Sequence, residues 1–493
     1  MPGRPLDNSI VHRITYLVRL LGIPLLCLAV VIFALGRADA ASRDLPEQPQ
    51  VDQAAPVTPV LSARRVAAAL AFPARSAMLA SHVGPLMAGL SGDASCALVT
   101  TQTSVPIYAV NPDMALIPAS NQKLLTAYTA LAVMGPEYRF HPTLTTDAQV
   151  DNGVVQGDVY LIGGGDPSLA TPDYAASFIR QPQVFTDING LIAGLQAAGI
   201  TRVQGALVAD GTRYDDQRYV DAWPARFKSG VGENPSGPLS GLNLNDGFTR
   251  YPTEGQRFGG SGTRAVAADP ALATGQTVAE LMKAAGITIG GGVRSGKAVP
   301  VTNPLAAVDS PPLADVVGGM LRESDNTGAE LLLKEIGVAR SAQGTTAAGA
   351  AVVTQLFTQQ AMAGPELVVL DGSGLSDGDR VTCATFVRVL TTAGPDGPLA
   401  AGLPVAGQSG TLAERFGGTA AVGAVRAKTG TLSGVSALSG WATTQPGAKI
   451  AFSFVTNSGD EEAMAAIEDQ LATALLAYPE GPSLAELGPK TAG

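Results

Sequence analysis

Cysteine is scarce in this chain of 493 residues: only Cys27, Cys96 and Cys383 occur, and no two form a CxxC pair. That excludes a disulfide-built scaffold and a thiol-rich zinc site. Histidine is as rare. His12, His82 and His141 have no metal-ligand spacing, and none lies in a Gly/Ser/Thr-rich motif, so neither a metal centre nor a catalytic histidine is implied. Basic clusters are missing and the formal charge is −10, which argues against a nucleic-acid partner. Charged residues make up only 15% of the chain against 46% hydrophobic ones, with 58 glycines and 34 prolines. Such a composition folds, and the length exceeds what one hydrophobic core usually organises.

One long apolar run is present, at the amino terminus. Arg4, Arg13 and Arg19 precede the uncharged stretch Leu20–Leu35, and Ala38-Asp39-Ala40 follows it as a signal-peptidase-like site. Residues 1–40 therefore read as an export signal or an uncleaved membrane anchor, and both place the remainder outside the cytoplasm. Cys27 falls in this leader. Cys96 and Cys383 are then the only pair left for a bridge, and nothing in the sequence shows that they meet.

Residues 41–60, rich in Pro, Gln and Ala, read as a linker. Residues 61–142 contain Ala/Leu-rich helices, a hairpin over Cys96–Asp113 and a helix entered at Ser120. From 143 to 305 short alternating segments suggest an inserted, mostly β region, of one or two lobes, with a helix over Ala176–Gly199. Residues 306–478 return to helices at Pro311–Arg340, two antiparallel strands across Gln445-Pro446-Gly447 and a last helix over Ala463–Tyr478; 479–493 are a tail.

Three short clusters carry chemistry. In "PASNQKLL", Ser120 and Lys123 stand at i and i+3 and share one helix face. A serine needs a base to become a nucleophile, and a lysine serves only if burial and neighbours lower its pKa. The bland alternative is a helix cap beside a surface lysine. In "RESDNTGAE", Ser324 and Asn326 would diverge on a helix but point together from a turn between two helices. There they offer a hydroxyl for proton relay and an amide for a substrate carbonyl, while Asp325, Asn326 or Thr327 caps the next helix. In "RAKTGTLSGVSALSGW", Lys428, Thr429, Gly430 and Thr431 lie on a strand. Lys428 supplies positive charge, the two threonines hydroxyls for an anionic end group, and Gly430 an edge open to a ligand backbone. Thr431 N–H with Ser120 N–H would make an oxyanion hole.

Each cluster alone is common. In the order SxxK, SxN, KTG they resemble the signature of penicillin-binding proteins and class A β-lactamases. The long gap from Lys123 to Ser324, with "GDVYLIGGGDPSL", "SDNTGAELLLKEIG" and "DGSGLSDGDRVT", makes Leu61–Tyr478 similar to the class C low-molecular-mass penicillin-binding proteins. These are the D-alanyl-D-alanine carboxypeptidase/endopeptidase family, peptidase family S13. The resemblance implies an α+β fold, a serine β-lactamase/DD-peptidase-like domain with an antiparallel sheet and helices, interrupted by the insertion. It implies a secreted or cell-envelope serine D-Ala-D-Ala carboxypeptidase, with DD-endopeptidase action as an extension, acting on peptidoglycan stem peptides and acylated by β-lactams, with no cofactor. Carried over by residue, Ser120 is the nucleophile, Lys123 the base and Ser324 the relay, while Asn326, Lys428, Thr429, Gly430 and Thr431 hold substrate. The competing readings are a β-lactamase, which needs a carboxylate to activate water, and a non-catalytic scaffold, which predicts a damaged motif.

Two glycine-rich stretches count as turns rather than sites. Ile162–Leu169 lacks the lysine and helix of a phosphate loop, and Asp371–Asp379, which lacks the acidic spacing of a calcium loop, reads as a structural turn near the active-site cleft. Ala406–Leu412 reads as a loop beside the site, and Trp223 and Trp441 as packing residues.

Overall fold

The computed structural model describes residues 63–90, 94–178, 180–228, 236–251, 264–300, 304–445 and 447–487. The leader and the linker thus lie outside the described residues. No helix among those described is long and apolar enough to cross a membrane. Residues Ala69–Leu487 form one compact unit.

In chain order, helix α1 (Ala63–Met87) leads to strands β1 (Ser95–Thr101) and β2 (Pro106–Val110), then helix α2 (Gln122–Met134). The inserted region holds β3 (Thr143–Thr145), β4 (Val159–Ile162), α3 (Asn189–Ala197), β5 (Leu207–Asp210), α4 (Pro270–Ala284), β6 (Val293–Ser295) and β7 (Pro304–Ala307). Helices α5 (Leu313–Glu323), α6 (Asn326–Ser341), α7 (Thr346–Gln359) and α8 (Cys383–Ala393) follow. Strands β8 (Val425–Leu432), β9 (Val435–Thr443) and β10 (Lys449–Thr456) and helix α9 (Glu461–Ala474) complete it.

The principal sheet is antiparallel, in the order β8-β9-β10-β1-β2. Both faces are covered, so its central strands are buried along their length rather than alternating. Alternation survives as a choice of partner. Ile450, Phe452 and Phe454 face Leu79 and Val83 of α1 and Leu471 of α9, while Ala451 and Val455 face Leu124, Leu125, Leu332 and Phe386. On that second face Ser439 and Ser453 stand opposite each other and share a hydrogen bond of 2.8 Å, leaving a polar notch under α2. Cys96 of β1 and Cys383 at the start of α8 are joined as a disulfide, so a helix is tied to the sheet across 287 residues.

The insertion sets two longer helices among its short strands. Its five-stranded sheet, ordered β6-β5-β4-β3-β7, pairs β4 with β5 and β5 with β6 in parallel. Parallel neighbours need crossovers, and α3 and α4 are those crossovers. Helix α4 begins at Pro270 behind an Asp269 cap that accepts from Leu272 N. The single helix expected over Ala176–Gly199 is instead the end of a one-turn helix (Pro172–Ala176), a two-residue strand and α3. Pro182 has no N–H to continue the ladder. Strand β7 pairs with β3, so the chain leaves the insertion beside where it entered.

A buried acid under the sheet gives a test of the packing. Glu468 of α9 accepts from Ser436 Oγ at 2.9 Å, and burial raises its pKa from an ordinary 4.5 to about 7 against the partial relief of Arg415. The folded pKa lies above the unfolded one, so its contribution is fully present below about 4.5 and is lost as pH rises through about 7. Glu468→Gln should therefore flatten the pH dependence of Tm across that window and raise Tm at pH values above it, measured by calorimetry against the parent protein.

Candidate active site

Ser120 lies in a 3-10 turn, Ala119–Asn121, that runs directly into α2. The turn is held from three sides. Asn457 clasps Ile117 through N–H to Oδ1 at 2.7 Å and Nδ2–H to carbonyl at 3.0 Å; Leu116 pairs with Val381; and Asn121 Nδ2 donates to Ser439 in the polar notch. Ala119 adopts φ 46°, a left-handed conformation that a non-glycine residue holds only under such constraint. Ser120 makes no capping bond and Lys123 is fully buried, which removes the cap-and-surface reading of the pair.

Lys123 Nζ lies 3.0 Å from Ser120 Oγ, 2.7 Å from Asn326 Oδ1 and 2.8 Å from the Ser373 carbonyl. Burial lowers its pKa to about 8, with Asp325, Asp371 and Glu330 opposing part of that fall. Three acceptors match three ammonium hydrogens. The neutral amine has only two, and the amide and peptide oxygens can do nothing but accept. Its lone pair must then face the one neighbour with a proton to give, Ser120.

Ser324 ends α5 in a left-handed conformation, φ 57°, and Asp325 caps α6 by accepting from Gly328 N at 3.0 Å. This turn presents Ser324 to Lys428, whose Nζ donates to Ser324 Oγ at 2.9 Å and to the Thr429 carbonyl at 2.7 Å. Lys428 is fully buried too, and burial, with Lys123 and Arg180 nearby, holds its pKa well below the usual lysine range. Thr429 is half-buried and donates to Thr411 Oγ1 at 2.8 Å, while Thr431 is exposed.

Strand β8 is an edge of the sheet. Ala427 N–H points away from β9, to the Pro404 carbonyl at 3.0 Å, and antiparallel alternation turns Thr429 and Thr431 N–H the same way. Gly430 has a second reason to be glycine: a Cβ there would lie 2.8 Å from the Pro118 carbonyl. The edge and the Ser120 turn close on each other only without a side chain at that point.

The sequence reading places Asp371–Asp379 near the cleft as a structural turn and gives it no role in the site itself. Its Ser373 carbonyl is the third acceptor of Lys123, and Glu330 Oε1 holds it by accepting from Gly372 N at 3.0 Å and Ser373 N at 2.8 Å. A backbone carbonyl has no residue identity to read. The one available signal was the glycine pattern, since Gly374 has φ +82° and a Cβ there would sit 1.8 Å from the Ala119 carbonyl.

Fold and site together define a class, the active-serine enzymes of the penicillin-binding type. The profile of the D-Ala-D-Ala carboxypeptidase 3 (S13) family matches residues 80–263 and 256–478, and the chain belongs to that family of serine peptidases. Among relatives, a D-alanyl-D-alanine carboxypeptidase of Actinomadura sp. (strain R39) is 33% identical over 459 residues, covering 78% of this chain and 82% of the relative. Carboxypeptidase DacB of Mycolicibacterium smegmatis is 30% identical, covering 91% and 93%. The crystal structure of penicillin binding protein 4 from Haemophilus influenzae shares the fold, with a TM-score of 0.65 at 22% identity, over 80% of this chain and 98% of that one. A predatory peptidoglycan endopeptidase from Bdellovibrio bacteriovorus does so with a TM-score of 0.52 at 17% identity, over 80% and 94%.

If Lys123 governs Ser120, the rate of Ser120 acylation by a neutral activated ester should rise with pH through a limb centred near 8, as the amine loses its proton. Lys123→Ala should lower the plateau by about 10²–10⁴-fold and remove that limb. Stopped-flow acylation across pH, with circular dichroism to confirm folding, reads both.

Proposed function

We propose that the chain performs the D-Ala-D-Ala carboxypeptidase reaction of its family through an acyl-enzyme on Ser120, with endopeptidase action on D-Ala-linked cross-bridges by the same route. The observation that carries this is the Lys123 environment: a buried amine whose two obligatory acceptors leave its lone pair for Ser120. Ser120 Oγ attacks the penultimate D-Ala carbonyl carbon and its proton passes to Lys123. The Ser120 and Thr431 N–H groups receive the oxyanion, one from a helix's first turn and one from an open strand edge. As the C–N bond breaks, the leaving amine takes a proton relayed through Ser324, whose hydroxyl is oriented by Lys428. Water then hydrolyses the ester. Lys428, Thr429 and Thr431 hold the terminal carboxylate, Gly430 keeps the strand close to the Ser120 turn, and Asn326 contributes while its Oδ1 stays on Lys123.

A β-lactam places a strained amide and a carboxylate at the same spacing, so it acylates Ser120. The ester should persist. Glu330, one of the three acids whose charge acts on Lys123, is fully buried and spends Oε1 on the N–H groups of Gly372 and Ser373, which favours a peptidase over a β-lactamase. We place the catalytic unit on the outer side of the cytoplasmic membrane, released or anchored according to whether residues 1–40 are removed. A Cys96–Cys383 disulfide suits that oxidising setting.

Incubation with benzylpenicillin should add one penicilloyl group to the peptide containing Ser120, stable for minutes or longer and lost in Ser120→Ala, by intact-mass spectrometry and peptide mapping. Label on another residue would overturn the nucleophile assignment, and turnover without an adduct would favour the β-lactamase. Non-reducing peptide mapping of exported protein should recover Cys96 and Cys383 in one linked peptide. Replacing both by serine should cost about 2–4 kcal/mol in denaturant unfolding.

A further inference from the structure

The insertion meets the catalytic elements in an apolar cluster. Val220 and Trp223 pack there with Ala119, which precedes Ser120, with Leu375 of the Asp371–Ser376 turn and with Leu432, which follows the KTGT residues. Most of these contacts are ordinary packing. Trp223 adds a directed one: its indole Nε1–H donates to Asp371 Oδ2 at 2.8 Å, and both residues are buried.

Asp371 is the fastener of that turn. Oδ1 accepts from Gly374 N at 2.6 Å, Oδ2 also accepts from Ser376 N at 2.8 Å, and the Asp371 carbonyl accepts from Gln122 Nε2 at 3.3 Å. The peptide between these anchors carries the Ser373 carbonyl that receives Lys123. On the far side Gly374 is wedged against the Ala119 carbonyl, so the turn cannot slide toward Ser120. The indole donates from outside the α+β domain; within the domain the buried carboxyl of Asp379, held well above the usual carboxylate range by burial and by Asp371, also meets the Asp371 carboxylate.

We infer that Trp223 is a positioning residue of the acylation step, by which the inserted region holds Asp371, and through it the Ser373 carbonyl, against Lys123. The inference rests on Lys123 acting on Ser120. If the turn loosens, Lys123 loses one of the two acceptors that aim its lone pair. Two consequences follow together. Fewer molecules present the lone pair to Ser120, so the plateau rate falls. The buried ammonium also loses an acceptor and gives up its proton more readily, so the acid limb moves to lower pH.

Trp223→Phe keeps the ring in the cluster and removes the N–H. In the full chain the acylation rate constant for benzylpenicillin should fall about ten- to a hundredfold, with pre-acylation affinity unchanged. Its acid limb should shift downward. Val220→Ala, which thins the same cluster without touching Asp371, should lower Tm and leave the limb where it is. A folded Trp223→Phe protein with the parental rate and limb would overturn the inference, as would an equal limb shift in Val220→Ala. Parent protein labelled in the same series separates the two levels. Failure to label Ser120 there removes the catalytic reading itself, whereas a labelled parent beside an unaltered Trp223→Phe removes only the positioning role.

Discussion

A lysine ammonium without a carboxylate partner is among the most costly groups to bury, and Lys123 is fully buried. It is tolerated because three oxygens meet at its nitrogen, from Ser120, Asn326 and Ser373. Those oxygens come from the start of α2, the start of α6 and the turn before α8, segments separated by some 200 residues of chain from first to second. Much of the larger architecture answers the need to bring them together. The polar notch at Ser439 and Ser453 seats Asn121, the Asn457 clasp fixes the entry to α2, and the left-handed Ser324 breaks one helix so that another can begin at Asn326.

A second buried lysine makes the field of the site. Burial is the largest cause that lowers the proton affinity of both lysines, and Lys123 lowers that of Lys428 further. An anionic group arriving beside Lys428 would favour the charged form of that lysine. The acids Asp325, Asp371 and Glu330 set a limit from the opposite direction, keeping Lys123 near 8 rather than far lower. A base with a pKa near the working pH combines a usable neutral fraction with enough basicity to accept the proton.

The groups that converge at the site were legible because their chemistry fixes residue type. A hydroxyl, an amine, a second hydroxyl, an amide and a lysine on a strand edge can be read at Ser120, Lys123, Ser324, Asn326 and Lys428. The supporting groups were not. Ser373 acts through its carbonyl, which every residue has, and Trp223 looked like packing because an indole donor without its acceptor is indistinguishable from a core aromatic. Glu330 carries no mark of its role in the sequence; its bonds to Gly372 and Ser373 appear once α6 and the turn are side by side. In the insertion, β strands of two to four residues gave alternation without direction, so parallel pairing and the α4 crossover stayed hidden despite the Asp269-Pro270 start.

The insertion is fastened to α6 by polar contacts that a packing argument alone would not call for. Arg213 meets Glu335 through Nε at 2.8 Å, Asp215 pairs with the buried Lys334, Tyr214 Oη reaches the Leu331 carbonyl at 3.2 Å, and Gly237 N–H donates to Thr327 Oγ1 at 2.9 Å. Buried ion pairs contribute little net stability, because desolvation offsets most of their attraction. They are nonetheless intolerant of the wrong geometry, since a one-residue slip leaves a charge unpaired in the core. Spaced along one face of α6, these contacts fix the rotation and register of the helix whose first residue is Asn326. Orientation of that helix decides whether the Asn326 amide oxygen meets Lys123, so the same polar contacts that add little to stability constrain where the Lys123 lone pair can point.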